Sequence, residues 1–269
     1  MTRFRTLLIC HHDAPLHADG FARWLASWSD LAGVVVIEEP GGMFLRRVRR
    51  EAGRVGWIRM LDVLAFRLWY RVRARGRDQR WIGARLRELR ERYPESVAAP
   101  VCRVPTPNAA ECEAFIRAAR PDIVVALCKN ILAERVFGIP AAGTVVLHPG
   151  ICPEYRNAHG CFWALANDDL GRVGLSLLRI DRGIDTGPVC GYFTTAFDEQ
   201  RESHIVIQHR MILDNLEGIR ALLERVAGGT AAPIDTSARA SREWGQPWLS
   251  AYWRWRRQAR RRARAHARP

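Results

Sequence analysis

Short apolar runs alternate with helical segments along this chain, and this alternation restricts its fold more than any other feature. Four of the runs are FRTLLIC (4–10), LAGVVVIEE (31–39), DIVVALC (122–128) and GTVVLH (143–148). Continuous apolar runs of this length are typical of strands buried on both faces, and crossover helices make such strands parallel. Further strands are predicted at 101–104, 173–180 and 187–195, and helices at 17–28, 108–119, 161–167 and 201–227. The pattern predicts the α/β class, with a Rossmann-like open, largely parallel sheet and helices on both faces.

Two basic segments are added to this alternating unit. The segment 41–95 has apolar residues at helical spacing among arginines, which predicts an Arg-rich helical insertion. The segment 231–269 is aromatic at its start and polycationic at its end. We therefore expect an α/β domain over 1–230 that contains the insertion, followed by a basic aromatic C-terminal extension over 231–269.

The net charge of +14 is concentrated in those segments. Residues 45–90 hold fifteen arginines against four acidic residues, and residues 251–269 hold eight arginines and no acidic residue. Such segments attract phosphates, nucleic acid or anionic lipid, although a solvated helical face has the same composition. Three alternatives stay open for the tail: a disordered basic segment, an amphipathic helix on an anionic surface, or a nucleic-acid contact with stacking tryptophans.

Composition excludes several other classes of protein. An apolar fraction of 48% over 269 residues is ample for a buried core. No apolar run reaches the length of about 18 residues that a membrane-spanning helix needs, and the first residues, MTRFRTLLIC, are too briefly apolar for a signal peptide. The seven cysteines form no CxxC pair, so we expect free thiols and no metal site. These features predict a cytoplasmic protein without a transmembrane segment.

Polar residues follow three of the predicted strands. In open α/β sheets, ligands bind beyond the carboxyl ends of the strands. The chain has polar side chains at these ends, namely His11, His12, Lys129, Asn130 and His148. This edge of the sheet is therefore the candidate site.

Two motifs near that edge resemble those of a known family. The segments are HPGICPEYRNAHGCFWAL (148–165) and LLRIDRGIDTGPV (177–189). They resemble the formyltransferases that use 10-formyltetrahydrofolate, which include glycinamide ribonucleotide transformylase, methionyl-tRNA formyltransferase and the sugar N-formyltransferases. The matching residues are His148, Pro149, Pro153, Tyr155, Asp185, Gly187 and Pro188, with His159 where some members carry a histidine. The resemblance is strong over 122–191, weaker over the first forty residues, and absent from the insertion and the tail.

The resemblance implies a formyltransferase that moves a one-carbon group from 10-formyltetrahydrofolate, its co-substrate, to an amine. In this chemistry an amine attacks the formyl carbon, an oxyanion develops and protons are transferred. The resemblance assigns proton transfer and oxyanion stabilisation to His148, and assigns to Asp185 the role of holding the imidazole and ordering a water. The expected folate-binding residues are Lys129, Ile131, Leu132, Asp181, Gly183 and Ile184, and the expected acceptor-binding residues are His11, His12, Tyr155 and His159.

One position departs from the family. The resemblance places an asparagine that donates to the formyl oxygen where this chain has Val146. Loss of one such donor typically lowers the rate about a hundred- to a thousand-fold, so either activity is lost or another donor replaces it. Asn157 and Asn130 are the expected catalytic replacements. Lys129, the only lysine in the chain, is a third candidate because it is a compact point charge.

The leading functional hypothesis is formyl transfer to an amine of an unidentified, anionic small molecule. Fewer than eighty residues follow the resembling segment 122–191, which leaves little room for a separate tRNA-binding domain. The partners expected besides folate and this acceptor are nucleic acid or an anionic surface, through the basic segments. Two alternatives stay open because of Val146: a formyltetrahydrofolate hydrolase, or a non-catalytic folate-fold binding or scaffold protein.

Overall fold

A seven-stranded sheet organises the protein in the computed structural model, which describes residues 3–40, 52–53, 56–95 and 97–266. The strands, in chain order, are β1 (Arg5–His11), β2 (Asp30–Ile37), β3 (Val101–Val104), β4 (Ile123–Leu127), β5 (Thr144–His148), β6 (Arg156–Asn157), β7 (Leu175–Arg179), β8 (Val189–Phe193) and β9 (Glu243–Trp244). Strands β6 and β9 pair with each other outside the main sheet.

The main sheet has the order β3-β2-β1-β4-β5-β7-β8. The first five strands in this order are parallel, whereas β7 and β8 are antiparallel to their neighbours. Buried apolar side chains cover both faces of the sheet, with Trp24, Phe162 and Trp163 on one face and Ile9 and Ile116 on the other. The predicted fold, a largely parallel sheet with helices on both faces, is confirmed.

The described residues form the helices α1 (Ala22–Trp28), α2 (Trp57–Arg73), α3 (Arg75–Arg92), α4 (Ala110–Ala119), α5 (Glu134–Phe137), α6 (Gly160–Ala166), α7 (His204–Leu213), α8 (Leu216–Ala227) and α9 (Leu249–His266). The short helix α5 was not predicted, and two of the predicted helices differ from the observed ones. The helix predicted at 17–28 begins with a π-helical turn, Leu16–Phe21. The helix predicted at 201–227 is two helices, because Asn215 leaves the helical conformation and its amide donates to the carbonyl oxygen of Met211.

The described part of the Arg-rich insertion forms α2 and α3. Residues 41–51, 54 and 55 of the predicted insertion lie outside the described residues. Phe66 of α2 and Leu86 and Leu89 of α3 are buried in the main apolar core. The insertion therefore packs onto the α/β unit. No helix of the described residues is long and apolar enough to cross a membrane.

The C-terminal extension also packs onto the α/β unit. One face of α9 places Ala251, Trp255 and Ala259 in the main core, with no solvent exposure. The disordered alternative for the tail is therefore wrong over the residues up to 266, because burial of this apolar face stabilises the helix.

Candidate active site

The carboxyl ends of three neighbouring strands bring the first predicted site residues together. His11 ends β1, Lys129 follows β4, and His148 ends β5. The backbone N–H of Lys129 donates to Nε2 of His11 over 3.1 Å, which ties the ends of β1 and β4 together. His11 and His148 are buried, while His12 is exposed and its backbone N–H donates to the carbonyl oxygen of Ile37.

His148 has an acceptor at each of its ring nitrogens. Its Nε2 lies 2.7 Å from the carbonyl oxygen of Tyr155, and its Nδ1 lies 3.3 Å from Oδ2 of Asp185. A neutral imidazole carries one N–H and an imidazolium carries two. Only the imidazolium can donate to both acceptors at once, whereas a neutral ring can donate to one of them.

Asp185 is held in place by the chain around it. Its Oδ2 also accepts from the backbone N–H of Asn157 over 2.8 Å. The residue adopts a left-handed conformation, with φ of 50°, directly before the turn that Gly187 completes. A Cβ at Gly187 would collide with the carbonyl oxygen of Arg179, so this turn requires glycine. The carboxylate is 15% exposed, which leaves it accessible to a water or a substrate.

The loop after β5 depends on close contact between two glycines. A Cβ at Gly150 would lie 2.6 Å from the carbonyl oxygen of Tyr155 and 2.8 Å from Nε2 of His148, and a Cβ at Gly160 would lie 2.5 Å from the Cα of Gly150. The Tyr155 side chain is buried, and its hydroxyl donates to Oδ2 of Asp169. The contact of Tyr155 with the site is therefore made by its carbonyl oxygen, whereas the sequence predicted an acceptor-binding residue.

The C-terminal extension supports this loop, a contribution that sequence reasoning missed. The backbone N–H of Arg242 donates to the carbonyl oxygen of Pro153 over 3.0 Å, and β9 pairs with β6. The Trp244 ring stacks on Tyr155 and on Trp163, with ring centroids 5.8 and 4.7 Å apart. A two-residue strand such as β9 has no hydrophobic periodicity that could predict it. The tryptophan content of the segment was the only feature of the sequence that indicated packing against the rest of the protein.

Val146 packs into an apolar cluster. It lies on the same side of β5 as His148, since alternate residues of a strand share a face. It contacts the cluster formed by Cys152, Leu178 and Val189. An amide at this position would lose that apolar contact, which gives a physical reason for valine here.

The three candidate replacement donors differ in how the chain uses them. The side-chain amide of Asn157 donates to the carbonyl oxygen of Trp244 over 2.8 Å and to Oε1 of Glu243 over 3.0 Å, which uses both its hydrogens. The Asn130 amide donates over a longer 3.3 Å to Glu39, and its Oδ1 is buried without a partner among the described residues. Lys129 is exposed, and within the described ranges no hydrogen bond or ion pair of its ammonium is present.

Two buried histidines lie near this edge: His159, which was an expected acceptor-binding residue, and His17, which the sequence did not single out. Burial lowers the pKa of His159 to about 4, and the positive charges of Lys129 and Arg67 lower it further. Burial also lowers the pKa of His17 to about 3, with His209, Lys129 and His11 as weaker causes. These rings are neutral at pH 7, so they can offer both a donor and an acceptor to a polar ligand.

The predicted folate-binding residues fall into three groups. Asp181 closes the turn before Asp185, since its Oδ1 accepts from the Gly183 N–H over 2.9 Å, and a Cβ at Gly183 would collide with the Thr186 hydroxyl. The carbonyl oxygen of Ile184 accepts from Arg156 over 2.7 Å. The Ile131 side chain is exposed and available to a ligand, whereas that of Leu132 is buried in the core.

Among the described residues, no group of three or more His, Cys, Asp or Glu side chains is arranged to bind a metal ion.

These features define an α/β protein with a buried histidine–aspartate pair at the carboxyl edge of its sheet. No protein-family model matches the chain. It is 30% identical over 151 residues to methionyl-tRNA formyltransferase of Thermus thermophilus, a match that covers 55% of this chain and 48% of the relative. It is 28% identical over 161 residues to the enzyme of the same name from Geobacter metallireducens, covering 59% and 49%. The chain thus spans about half the length of the curated relatives it matches.

Solved structures share the fold. Phosphoribosylglycinamide formyltransferase of Anaplasma phagocytophilum aligns with a TM-score of 0.55 and 11% identity over 91% of this chain and 100% of its own. A sugar N-formyltransferase of a Shewanella species aligns with a TM-score of 0.53 and 11% identity over 90% and 76%. These two relatives and these two solved structures are formyltransferases, which are transferases. The resemblance to the 10-formyltetrahydrofolate-dependent formyltransferases is confirmed.

Proposed function

We propose that the protein transfers a formyl group from 10-formyltetrahydrofolate to an amine. The observation that carries this proposal is the His148–Asp185 pair. The pair is supported by the carbonyl oxygen of Tyr155 and the backbone N–H of Asn157, at the end of a central strand. The Asp-x-Gly-Pro turn and the strand-ending histidine lie next to one another at the carboxyl edge of the sheet, which supports the proposal.

The residues of the pair have complementary roles in the proposed reaction. The amine nitrogen attacks the formyl carbon, the carbonyl oxygen becomes an oxyanion, and the nitrogen releases a proton. The imidazolium of His148 donates a hydrogen bond to the oxyanion in place of its contact with the carbonyl oxygen of Tyr155, while the Asp185 carboxylate, 3.3 Å from Nδ1, stabilises its positive charge. The carboxylate of Asp185 accepts the released proton through an ordered water, and this proton is passed to the folate nitrogen as the bond between that nitrogen and the formyl carbon breaks.

The donor that replaces the family asparagine comes, in this proposal, from Lys129 or Asn130. Asn157 is less suited than the sequence suggested, because both hydrogens of its amide are used by the chain. Replacing Lys129 and Asn130 by alanine, separately, tests the assignment. One of the two variants should lose about a hundredfold or more in kcat, comparable to His148→Ala. If both keep wild-type activity, the replacement-donor idea is wrong.

We propose an anionic small molecule as the acceptor. The charge of Lys129 lies close enough to lower the pKa of His159 and His17, and Arg67 contributes at His159. Cations beside neutral histidines suit a phosphorylated or nucleotide-linked amine.

A cytoplasmic location agrees with the seven cysteines, which are free thiols.

Two measurements test the proposed function. A thermal-shift titration with 5-formyltetrahydrofolate tests the folate site, since ligand at about a hundred times Kd adds about 2.7 kcal/mol to the free energy of unfolding. Tetrahydrofolate release from 10-formyltetrahydrofolate is then followed with a panel of phosphorylated and nucleotide-linked amines. Release that needs an amine and disappears in His148→Ala supports the transferase. Formate production without an amine would make the protein a hydrolase, and absence of a thermal shift would refute the folate site.

A further inference from the structure

Helix α2 exposes an apolar stripe along its whole length. The stripe consists of Trp57, Ile58, Leu61, Leu68 and Val72, which are 67, 88, 65, 65 and 71% exposed. At about 100° per residue these positions fall within an arc of about 100°, and they extend over about 22 Å of helix. Single exposed apolar residues are ordinary, but a continuous stripe marks an interaction surface. We call this set the α2 stripe.

Helix α9 exposes a shorter basic face. Its members are Arg257, Arg260, Arg261 and Arg264, all exposed, on the side opposite to the buried Ala251, Trp255 and Ala259. Arg257, Arg260, Arg261 and Arg264 make no ion pair within the part of the chain that the structure describes. These guanidinium groups are therefore available to anions. We call this set the α9 basic face.

Contacts between the two helices hold these surfaces side by side. The Trp69 ring of α2 lies 4.3 Å from Tyr252 and 5.8 Å from Trp253, measured between ring centroids. The backbone N–H of Ser250 donates to Oδ1 of Asp62 over 3.1 Å. Trp253 is itself 41% exposed, between the basic face and the aromatic contact with α2. An apolar stripe, an exposed tryptophan and an arginine face thus belong to one packed helix pair.

We infer that this helix pair binds the surface of an anionic phospholipid bilayer. The α2 stripe enters the boundary between headgroups and acyl chains, and the α9 arginines contact the anionic headgroups, as in helices that lie in the plane of a membrane. This inference is independent of the proposed function, because it uses none of the predicted catalytic or substrate-binding residues.

Charge and chemistry favour a bilayer over the other occupants. A second copy of the chain on a two-fold axis would bring like surfaces together, and these surfaces carry unpaired arginines that repel one another. Nucleic acid would satisfy the arginines, but its polar interface would leave the aliphatic residues of the α2 stripe without a partner. A bilayer containing anionic lipid satisfies both surfaces at once.

Vesicle sedimentation of the full chain tests the inference. Vesicles of phosphatidylcholine are compared with vesicles that also contain phosphatidylserine. The double variant Leu61→Glu, Leu68→Glu should lower the partition coefficient at least about a hundredfold, because charges replace two leucines that the bilayer buries in this inference. The triple variant Arg257→Gln, Arg260→Gln, Arg264→Gln should lower it to a similar extent on anionic vesicles.

Val101→Glu is the matched control, since Val101 is 53% exposed on the edge strand β3 and lies outside both surfaces. Binding that needs phosphatidylserine, is lost in both multiple variants and persists in Val101→Glu supports the inference. It is overturned if the wild type does not sediment with anionic vesicles, or if the leucine variant binds them as well as the wild type. Vesicle-independent dimerisation that the leucine variant abolishes, or binding of tRNA without vesicle binding, also overturns it. Circular dichroism and melting curves confirm that each variant is folded.

Discussion

Replacing Asp185 by asparagine tests the chemistry proposed for the site with little change in shape. The side chain keeps its size, and its oxygen can still accept from the backbone N–H of Asn157, now 2.8 Å from Oδ2. The change removes the negative charge that lies 3.3 Å from Nδ1 of His148. It also removes the group proposed to accept a proton through water.

The expected loss has two parts. A hydrogen bond to a charged group contributes about 1.5–3 kcal/mol, and a hydrogen bond between neutral groups contributes about 0.5–1.5 kcal/mol. The imidazolium of His148 therefore loses about 1–1.5 kcal/mol of stabilisation. This loss corresponds to a decrease in rate of about five- to fifteenfold. Loss of proton transfer contributes a further factor of about a hundred or more. We therefore expect kcat/KM to fall at least about five-hundredfold, while the affinity for 5-formyltetrahydrofolate changes little.

The assay follows tetrahydrofolate release with the best amine from the panel, and thermal shift measures folate affinity for the same variant. Asp30→Asn is the matched control, because Asp30 pairs with Arg5 at 2.6 Å, far from the carboxyl edge, and is half exposed. It should leave kcat/KM unchanged and alter the free energy of unfolding by no more than about 1 kcal/mol. A loss of less than fivefold in Asp185→Asn would show that the carboxylate only supports the loop, and the reasoning would fail.

Three further predictions concern stability. Trp244→Ala should lower the free energy of unfolding by about 3–5 kcal/mol, measured in urea, since the ring is 8% exposed and stacks on two aromatic side chains; a change below 1 kcal/mol would contradict this. Gly150→Ala should lower it by about 1–3 kcal/mol, whereas Gly171→Ala, where a Cβ meets open space, should not. Burial lowers the pKa of His159 and His209 to about 4, so both rings are neutral when folded but charge on unfolding below about pH 6.5. The free energy of unfolding should then fall as pH drops from 6.5 towards 4, and urea titrations that show no such fall would disprove it.

Most of the sheet could be predicted because buried parallel strands have a continuous apolar pattern. The runs at 4–10 and 122–128 lie within a residue or so of β1 and β4, and the fold class is confirmed. The errors in the predicted secondary structure concern the positions at which helices break or begin. The break between α7 and α8 depends on Asn215, whose side-chain amide donates to the carbonyl oxygens of Thr194 and Met211. These contacts form only in the folded chain, so a single polar residue within a helical sequence pattern does not predict the break.

The candidate site could be predicted only in part. The motifs placed His148 and Asp185 in one site, and the structure brings their side chains into contact; their catalytic roles stay predictions. The sequence did not show that Tyr155 faces Asp169 or that the Asn157 amide bonds to β9. Both facts depend on partners far along the chain, and local patterns carry no information on such partners.

Local chemistry in the sequence was enough to establish the alternating strands and helices, the strand-ending histidine and the acidic turn, because each depends on residues near one another in the chain. The tertiary structure alone decided that the basic tail is a helix packed on the core, that β9 supports the loop after β5, and that Val146 packs into an apolar cluster. Each of these depends on burial against distant segments, and the free energy of that burial exists only once the chain has folded.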